Sequence, residues 1–122
     1  MSFKIVHADK VRRVPVENAE GAFIQVLIAP EEAPHFAMRR FTILPGGKIK
    51  RHRHPSIEHE QYVLAGRMQL ELDGQTFEVG PGDVVYIPAG VAHRYENPFD
   101  EPVLFLCMVP KTAAYEVEWL ED

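Results

Sequence analysis

Short stretches of alternating hydrophobic and polar residues follow one another along most of the chain. Ten prolines and eight glycines punctuate the sequence, which leaves no room for a long helix. The alternation predicts strands over residues 10–16, 22–29, 36–44, 61–64, 67–72, 75–79, 84–87 and 102–109, with a tail over 115–120 that resembles an edge strand. We therefore expect an all-β protein of roughly eight to eleven short antiparallel strands.

Three local signals refine this pattern. Asp73 and Gly74 form the residue pair typical of a type I′ hairpin turn between two strands. Gly46 and Gly47 are expected to turn the chain from the 36–44 strand into the segment that follows. Residues 102–109 are almost continuously apolar, which predicts burial on both faces of that strand.

Four of the six histidines lie in two segments, residues 46–66 and 82–97. In an extended strand His52 and His54 point to the same face. His59 opens the next strand, and His93 follows a Pro-Ala-Gly turn onto a further strand. Because neutral imidazole is the commonest protein ligand for late transition metals, the four side chains are candidate metal ligands.

The spacing within both segments follows a known pair of motifs. The first, G-x5-H-x-H-x(3,4)-E-x6-G, is matched at Gly46, His52, His54 and Gly66, with His59 in the glutamate position. The second, G-x5-P-x-G-x2-H-x3-N, is matched at Gly82, Pro88, Gly90, His93 and Asn97. The chain therefore resembles a cupin, and histidine at position 59 makes it similar to small single-domain cupins that hold manganese with four histidines. The resemblance implies an antiparallel jelly-roll β-barrel formed by residues 1–122 as a single domain.

Two glutamates flank His59 and compete with it for the ligand position. Glu58 has the required distance from His54, but seven residues separate it from Gly66 where the motif has six, and Glu60 is too close to Gly66. Strand alternation also turns both carboxylates away from the face of His59. We therefore interpret His59 as the fourth ligand. Glu58 and Glu60 either support histidine N–H groups or are solvated loop acids.

The resemblance implies manganese as the metal, with iron next, whereas affinity alone favours copper, nickel or zinc. Four neutral imidazoles leave the metal charge uncompensated, and a six-coordinate ion would keep two adjacent positions for other ligands. This arrangement suits a metal-dependent oxidoreductase of dioxygenase or peroxide type that acts on a small, anionic or enolisable molecule. The alternatives are a redox-neutral isomerase or lyase, and a binding module without turnover.

Three further residues are candidates for the substrate pocket. Arg39 shares a strand face with Phe41, so its charge either turns inward and meets a carboxylate or an anionic substrate, or reaches solvent. Phe105 and Cys107 share a face of the 102–109 strand. Cys107 is either a small buried apolar residue or, as the cupin resemblance implies, part of the cavity wall with Phe105. His7 and His35 lack such neighbours and are not candidate ligands.

Composition narrows the possible partners. The net charge of -5 argues against nucleic acid. One cysteine, with no signal sequence and no apolar run of membrane-spanning length, predicts a cytoplasmic protein without a membrane partner. Because open sheet edges need protection, we expect a homodimer in which residues 23–29, or Trp119 and Leu120, cover an edge.

Overall fold

The computed structural model describes residues 3–112 and 115–121. One 3-10 helix, Ala8–Lys10, precedes the strands, and no helix among the described residues is long and apolar enough to cross a membrane. The ten strands are β1 (Val14–Pro15), β2 (Ala19–Ile28), β3 (Phe36–Arg53), β4 (His59–Ala65), β5 (Met68–Leu72), β6 (Gln75–Val79), β7 (Val84–Ile87), β8 (His93–Glu96), β9 (Val103–Pro110) and β10 (Glu118–Trp119).

The strands form one curled antiparallel sheet. Its main path runs β6–β5–β8–β3–β9–β4–β7, while β2 pairs with β1 and β3, and β10 pairs with β3. Every described pairing is antiparallel. This topology confirms the predicted all-β jelly-roll architecture.

The longest strand corrects one expectation from the sequence. Gly46 and Gly47 do not end a strand, because β3 continues through them from residue 36 to residue 53. Its first half pairs with β9 and its second half with β8. Gly46 has φ 81, and a Cβ on Gly47 would lie 2.8 Å from the Glu20 carbonyl oxygen. The two glycines therefore allow β3 to bend and join both halves of the barrel without interrupting it.

The ends of the chain contain less strand than the alternation predicts. Residues 10–16 provide only the end of the 3-10 helix and the two-residue strand β1. Here Gln25 donates hydrogen bonds to the carbonyls of Ala8 and Val11, so a side chain replaces part of the ladder. The tail likewise contributes only β10. In contrast, the predicted type I′ turn is confirmed, since Asp73 and Gly74 both have positive φ.

The hydrophobic core lies on the inner face of the curled sheet. The strand β9 alternates between buried and half-buried residues, so the expected burial of both faces is wrong for its outer face. The core cluster consists of Ala22, Ile43, Ile49, Val63, Met68, Leu70, Val85, Ile87, Tyr95, Val103 and Phe105. Ile49 and Tyr95 also line a cavity, which places that cavity directly beside the core.

Candidate metal centre

A cavity of about 300 Å³ lies between the inner face of the sheet and the C-terminal segment. This volume is at the lower end of the range for small-molecule sites. Its apolar wall includes four aromatic side chains, while its polar wall carries histidines, an arginine and a glutamine. The lining residues are Pro15, Val16, Glu17, Ile24, Arg39, Phe41, Ile49, His52, His54, His59, Gln61, His93, Tyr95, Cys107, Tyr115, Val117 and Trp119.

Three of the predicted ligands meet at one point of the cavity wall. His52 lies near the end of β3 opposite His93, the first residue of β8, and His54 follows β3. One nitrogen of each ring lies within 4.8 Å of a nitrogen of each other ring. All three side chains are buried, with exposed fractions between 2% and 7%. The strand pairing therefore brings together ligands that the sequence separates by about forty residues.

Backbone carbonyls fix the orientation of these three rings. The Nδ1 atoms of His52, His54 and His93 lie 2.7, 2.8 and 3.0 Å from the carbonyl oxygens of Lys50, Glu116 and Val91. A carbonyl accepts but cannot donate, so each Nδ1 carries the proton and each Nε2 keeps a free lone pair. This arrangement is typical of metal-binding histidines, whose second nitrogen is held by an outer hydrogen bond.

His59 lies beside this group but is held differently. Its ring centroid is 4.6 Å from that of His54 and 5.6 Å from that of His93. Its Nδ1 is buried and has no hydrogen-bond partner within the part of the chain that the structure describes. His59 also lies outside the set of three histidines whose nitrogens meet within 4.8 Å. Glu58 and Glu60 are exposed on the opposite face, as strand alternation requires. Ligation by His59 stays a prediction.

Burial keeps the four imidazoles neutral. It lowers the pKa of His52, lowers the pKa of His54 to about 4 and that of His93 to about 3, and lowers the pKa of His59 to about 2. The positive charge of Arg39 lowers the pKa of His52, His54 and His59 further. At neutral pH the lone pairs are therefore available, and the all-nitrogen donor set fits a transition metal ion better than magnesium or calcium.

Arg39 turns inward, as its strand face predicts. Its Nη1 donates to the Tyr115 hydroxyl at 2.8 Å, and its Nη2 donates to the Cys107 sulfur at 3.2 Å. Its Nε is buried and has no hydrogen-bond partner among the described residues. Among the described residues no carboxylate forms an ion pair with Arg39. The carboxylate partner expected for an inward arginine is thus not found among the described residues, and the anionic ligand stays a prediction.

The two other pocket candidates lie at different depths. Cys107 lines the cavity beside Arg39. Phe105 does not line it, because Phe105 is fully buried and stacks on Phe41 and Tyr95, each with ring centroids 5.2 Å away. Strand alternation predicts the inner face correctly but not the depth, and the rings of Phe41 and Tyr95 stand between Phe105 and the cavity.

The sequence reasoning missed a buried polar pair. Gln61 donates through Nε2 to the Tyr95 hydroxyl at 2.6 Å, while its Oε1 is buried and accepts no hydrogen bond from the described residues. A signal was present, since Gln61 and Tyr95 each lie two residues after a candidate ligand, His59 and His93. Residues two apart in a strand share a face, so both side chains had to point into the barrel.

The C-terminal segment also contributes to the cavity in a way that the sequence reasoning missed. The Tyr115 ring lies 5.2 Å from that of His54, and the Trp119 ring lies 4.9 Å from that of His52. Trp119 therefore lines the cavity, and its expected part in a dimer stays untested. The homodimer itself stays a prediction.

Fold and site together define a jelly-roll barrel protein with a buried histidine cluster suited to a metal ion. The family model for the cupin domain matches residues 39–109, more than half of the chain. The chain belongs to the cupin family.

Three known proteins show where the chain stands within that family. The crystal structure of the polyketide cyclase RemF from Streptomyces resistomycificus aligns with a TM-score of 0.90 and 32% identity, over 99% of this chain and 87% of that one. The polyketide synthase CurC from Streptomyces cyaneus is 31% identical over 75% of this chain and 60% of its own length. Quercetin 2,3-dioxygenase from Bacillus subtilis is 28% identical over 75% of this chain but only 24% of its own length.

Proposed function

We propose that this protein is a metal-dependent enzyme that closes a ring in a small, anionic and enolisable aromatic molecule of the polyketide type. The observation that carries the proposal is the half-buried Arg39, whose guanidinium faces the cavity with no carboxylate partner among the described residues. A cation that is partly shielded from water and lacks a counter-ion is costly, which supports an anionic ligand. The similarity to a polyketide cyclase over 99% of the chain supports this class of substrate.

The lining of the cavity suits such a molecule in size and polarity. Phe41, Tyr115 and Trp119 offer flat apolar surfaces for an aromatic ring. The histidines would hold a divalent ion through their Nε2 atoms, with manganese the proposed metal. Such an ion supplies a Lewis acid that polarises a carbonyl group.

Arg39 would stabilise the negative charge that the reaction develops. Ring closure joins an enolate carbon to a carbonyl carbon. The proton that the enolate carbon lost returns to the new alkoxide oxygen, so the substrate is neither oxidised nor reduced. Protons between two carbonyl groups are already acidic, so a strong protein base is not needed. This agrees with the composition of the cavity wall. Of the described residues that line the cavity, Glu17 alone carries a carboxylate, and it is exposed.

A dioxygenase reaction is the second candidate. Ring closure needs a metal ion only as a Lewis acid, whereas oxygen chemistry needs an ion that can change its oxidation state. Either ion would be held by the same four imidazoles. The similarity to quercetin 2,3-dioxygenase over 75% of the chain favours this alternative. Because that match covers only 24% of the dioxygenase, we place it second.

One experiment separates the two reactions. Protein loaded with manganese is incubated with aromatic 1,3-diketones that carry a further ketone within ring-closing distance. The reaction is followed in an oxygen electrode, and the products are analysed by mass spectrometry. Ring closure is expected to consume no oxygen and to leave the mass unchanged or reduced by one water. A product that gains two oxygen atoms with matching oxygen consumption supports the dioxygenase. Turnover that is equal in the wild type and in Arg39→Met would contradict the role of Arg39 in either reaction.

A further inference from the structure

Residues 115–121, named here the strap, form one wall of the cavity and are attached more weakly than the other walls. Only two strap residues belong to a ladder, with Glu118 opposite Arg53 and Trp119 opposite His52. One further backbone bond joins the Leu120 N–H to the Arg51 carbonyl at 2.9 Å. By contrast, the histidines and Arg39 lie on or beside strands paired on both edges or packed within the sheet.

The outer side of the strap is held by two ion pairs. Glu118 accepts from Arg53 at 2.7 Å, and both side chains are close to half exposed. Glu121 accepts from Arg94 Nε at 2.9 Å and from the Arg51 backbone N–H at 2.6 Å. Exposed ion pairs contribute little free energy, so the bonds to Glu121 are the stronger attachment.

The inner side of the strap contacts both ends of the site. The Glu116 carbonyl fixes Nδ1 of His54 at 2.8 Å, and the Tyr115 hydroxyl accepts from Arg39 at 2.8 Å. The Trp119 ring packs on His52. When the strap is closed, the candidate ligands are at most 7% exposed, which is too little for direct approach of an aromatic molecule.

We propose that the strap is the moving wall of the site, which opens at Glu118 and Glu121 to admit ligands and on closing positions His54 and Arg39. Segments with few ladder bonds and exposed ion pairs open locally at low free-energy cost. Closure supplies the carbonyl that sets the tautomer of His54 and the hydroxyl that orients Arg39. The strap therefore influences both affinity for the metal and the shape of substrate that fits. The inference uses the candidate metal site but does not depend on which reaction occurs there.

A reversible lock tests the opening directly. Glu118 and Arg53 are cross-strand partners, and such pairs have Cα atoms within the range that a disulfide spans. In the double variant Arg53→Cys/Glu118→Cys, oxidation should close the strap and reduction should release it. Cys107 is 1% exposed and is not expected to interfere.

The readouts are the uptake rates of Mn²⁺ and of 2-naphthoate, an aromatic anion, in stopped flow, together with acrylamide quenching of Trp119. Trp119 is the single tryptophan of the chain, so its fluorescence reports the strap without a label. We expect the oxidised lock to slow both uptake rates at least about tenfold and to reduce quenching, with recovery on reduction. Equal uptake rates in the oxidised and reduced forms would overturn the proposal.

A second variant tests the positioning role. Glu121→Gln removes the charge from the stronger attachment. Because charge-assisted bonds are stronger than neutral ones, we expect this loss to raise the population of the open strap about tenfold. Acrylamide quenching of Trp119 should rise, and Mn²⁺ affinity should fall because His54 loses its carbonyl partner. Glu101→Gln, an exposed change outside the cavity lining, is the control. Unchanged quenching and Mn²⁺ affinity in Glu121→Gln would contradict the proposal, whereas failure of Arg39→Met to affect turnover would contradict only the proposed function.

Discussion

The histidine end and the Arg39 end of the cavity satisfy their polar atoms in different ways. At the histidine end, three of the four Nδ1 atoms donate hydrogen bonds to backbone carbonyls. At the Arg39 end, side chains bond to other side chains. Among the described residues Arg39 Nε and Gln61 Oε1 have no partner, and at the histidine end the Nδ1 of His59 has none. Buried polar atoms are rarely left unpaired without a reason. The difference supports the proposal that the histidine end holds a metal and that the Arg39 end binds an anionic ligand.

The largest expected effect is at the histidine end. His93→Ala removes one member of the 4.8 Å cluster, so Mn²⁺ affinity should fall by more than about a hundredfold, the upper range for loss of an outer partner alone. Isothermal titration calorimetry on the metal-free proteins measures the change. His59→Ala should also weaken Mn²⁺ binding if it is the fourth ligand.

Glu58→Ala and Glu60→Ala are the matched controls for these histidine variants, since both side chains are exposed. Their Mn²⁺ affinity should equal that of the wild type. If Glu58→Ala lost the metal and His59→Ala kept it, our choice of His59 at the motif position would be wrong.

The next effect should have opposite signs at the two ends. Arg39→Met removes the cation that faces the cavity, so affinity for 2-naphthoate should fall about tenfold to a hundredfold. Affinity for Mn²⁺ should rise slightly, because Arg39 acts unfavourably on positive charge at His52, His54 and His59. Arg39→Lys keeps the charge and should lie between the two. Losses of both affinities in Arg39→Met, with intact circular dichroism, would show that the two ends are not separable.

Acid should destabilise the metal-free protein through the histidine end. The pKa of His54 is lowered from 6.5 to about 4 in the folded state. Between these values the unfolded chain binds the proton and the folded chain does not, so the free energy of unfolding decreases as pH falls through this window. Thermal unfolding at intervals from pH 7 to pH 4 measures the decrease. His54→Gln should flatten the pH dependence, while His35→Gln, at an exposed histidine, should leave it unchanged.

The two ends also differ in how far the sequence predicts them. His52, His54 and His93 follow from fixed spacing and strand alternation, because local geometry decides which way a strand residue points. The contacts of Arg39 with Cys107 and Tyr115 join residues 68 and 76 positions apart, and no local pattern specifies them. The depth of a side chain below the cavity surface is not predicted for the same reason. Phe105 lies on the predicted face of its strand but behind Phe41 and Tyr95. Likewise, Gly46 and Gly47 signal a change of direction but not whether the strand ends there.

The smallest expected effect concerns Gln61 and Tyr95 at the Arg39 end. Gln61→Leu removes the donor to the Tyr95 hydroxyl, and a neutral bond of this kind contributes about 1 kcal/mol. Because Gln61 Oε1 is already unpartnered, the same change also removes a buried unsatisfied acceptor. The double variant Gln61→Leu/Tyr95→Phe leaves neither group unpaired, so it should be nearly as stable as the wild type in urea unfolding, and more stable than the sum of the single variants.

If the polar pair serves a ligand, that double variant should nevertheless bind 2-naphthol more weakly than the wild type, because the hydroxyl of the probe has lost its acceptor. Mn²⁺ affinity should not change, since neither side chain belongs to the histidine cluster. A double variant that is strongly destabilised and still binds 2-naphthol normally would mean that the pair supports the core. The Arg39 end would then be a structural feature and not an incomplete binding site.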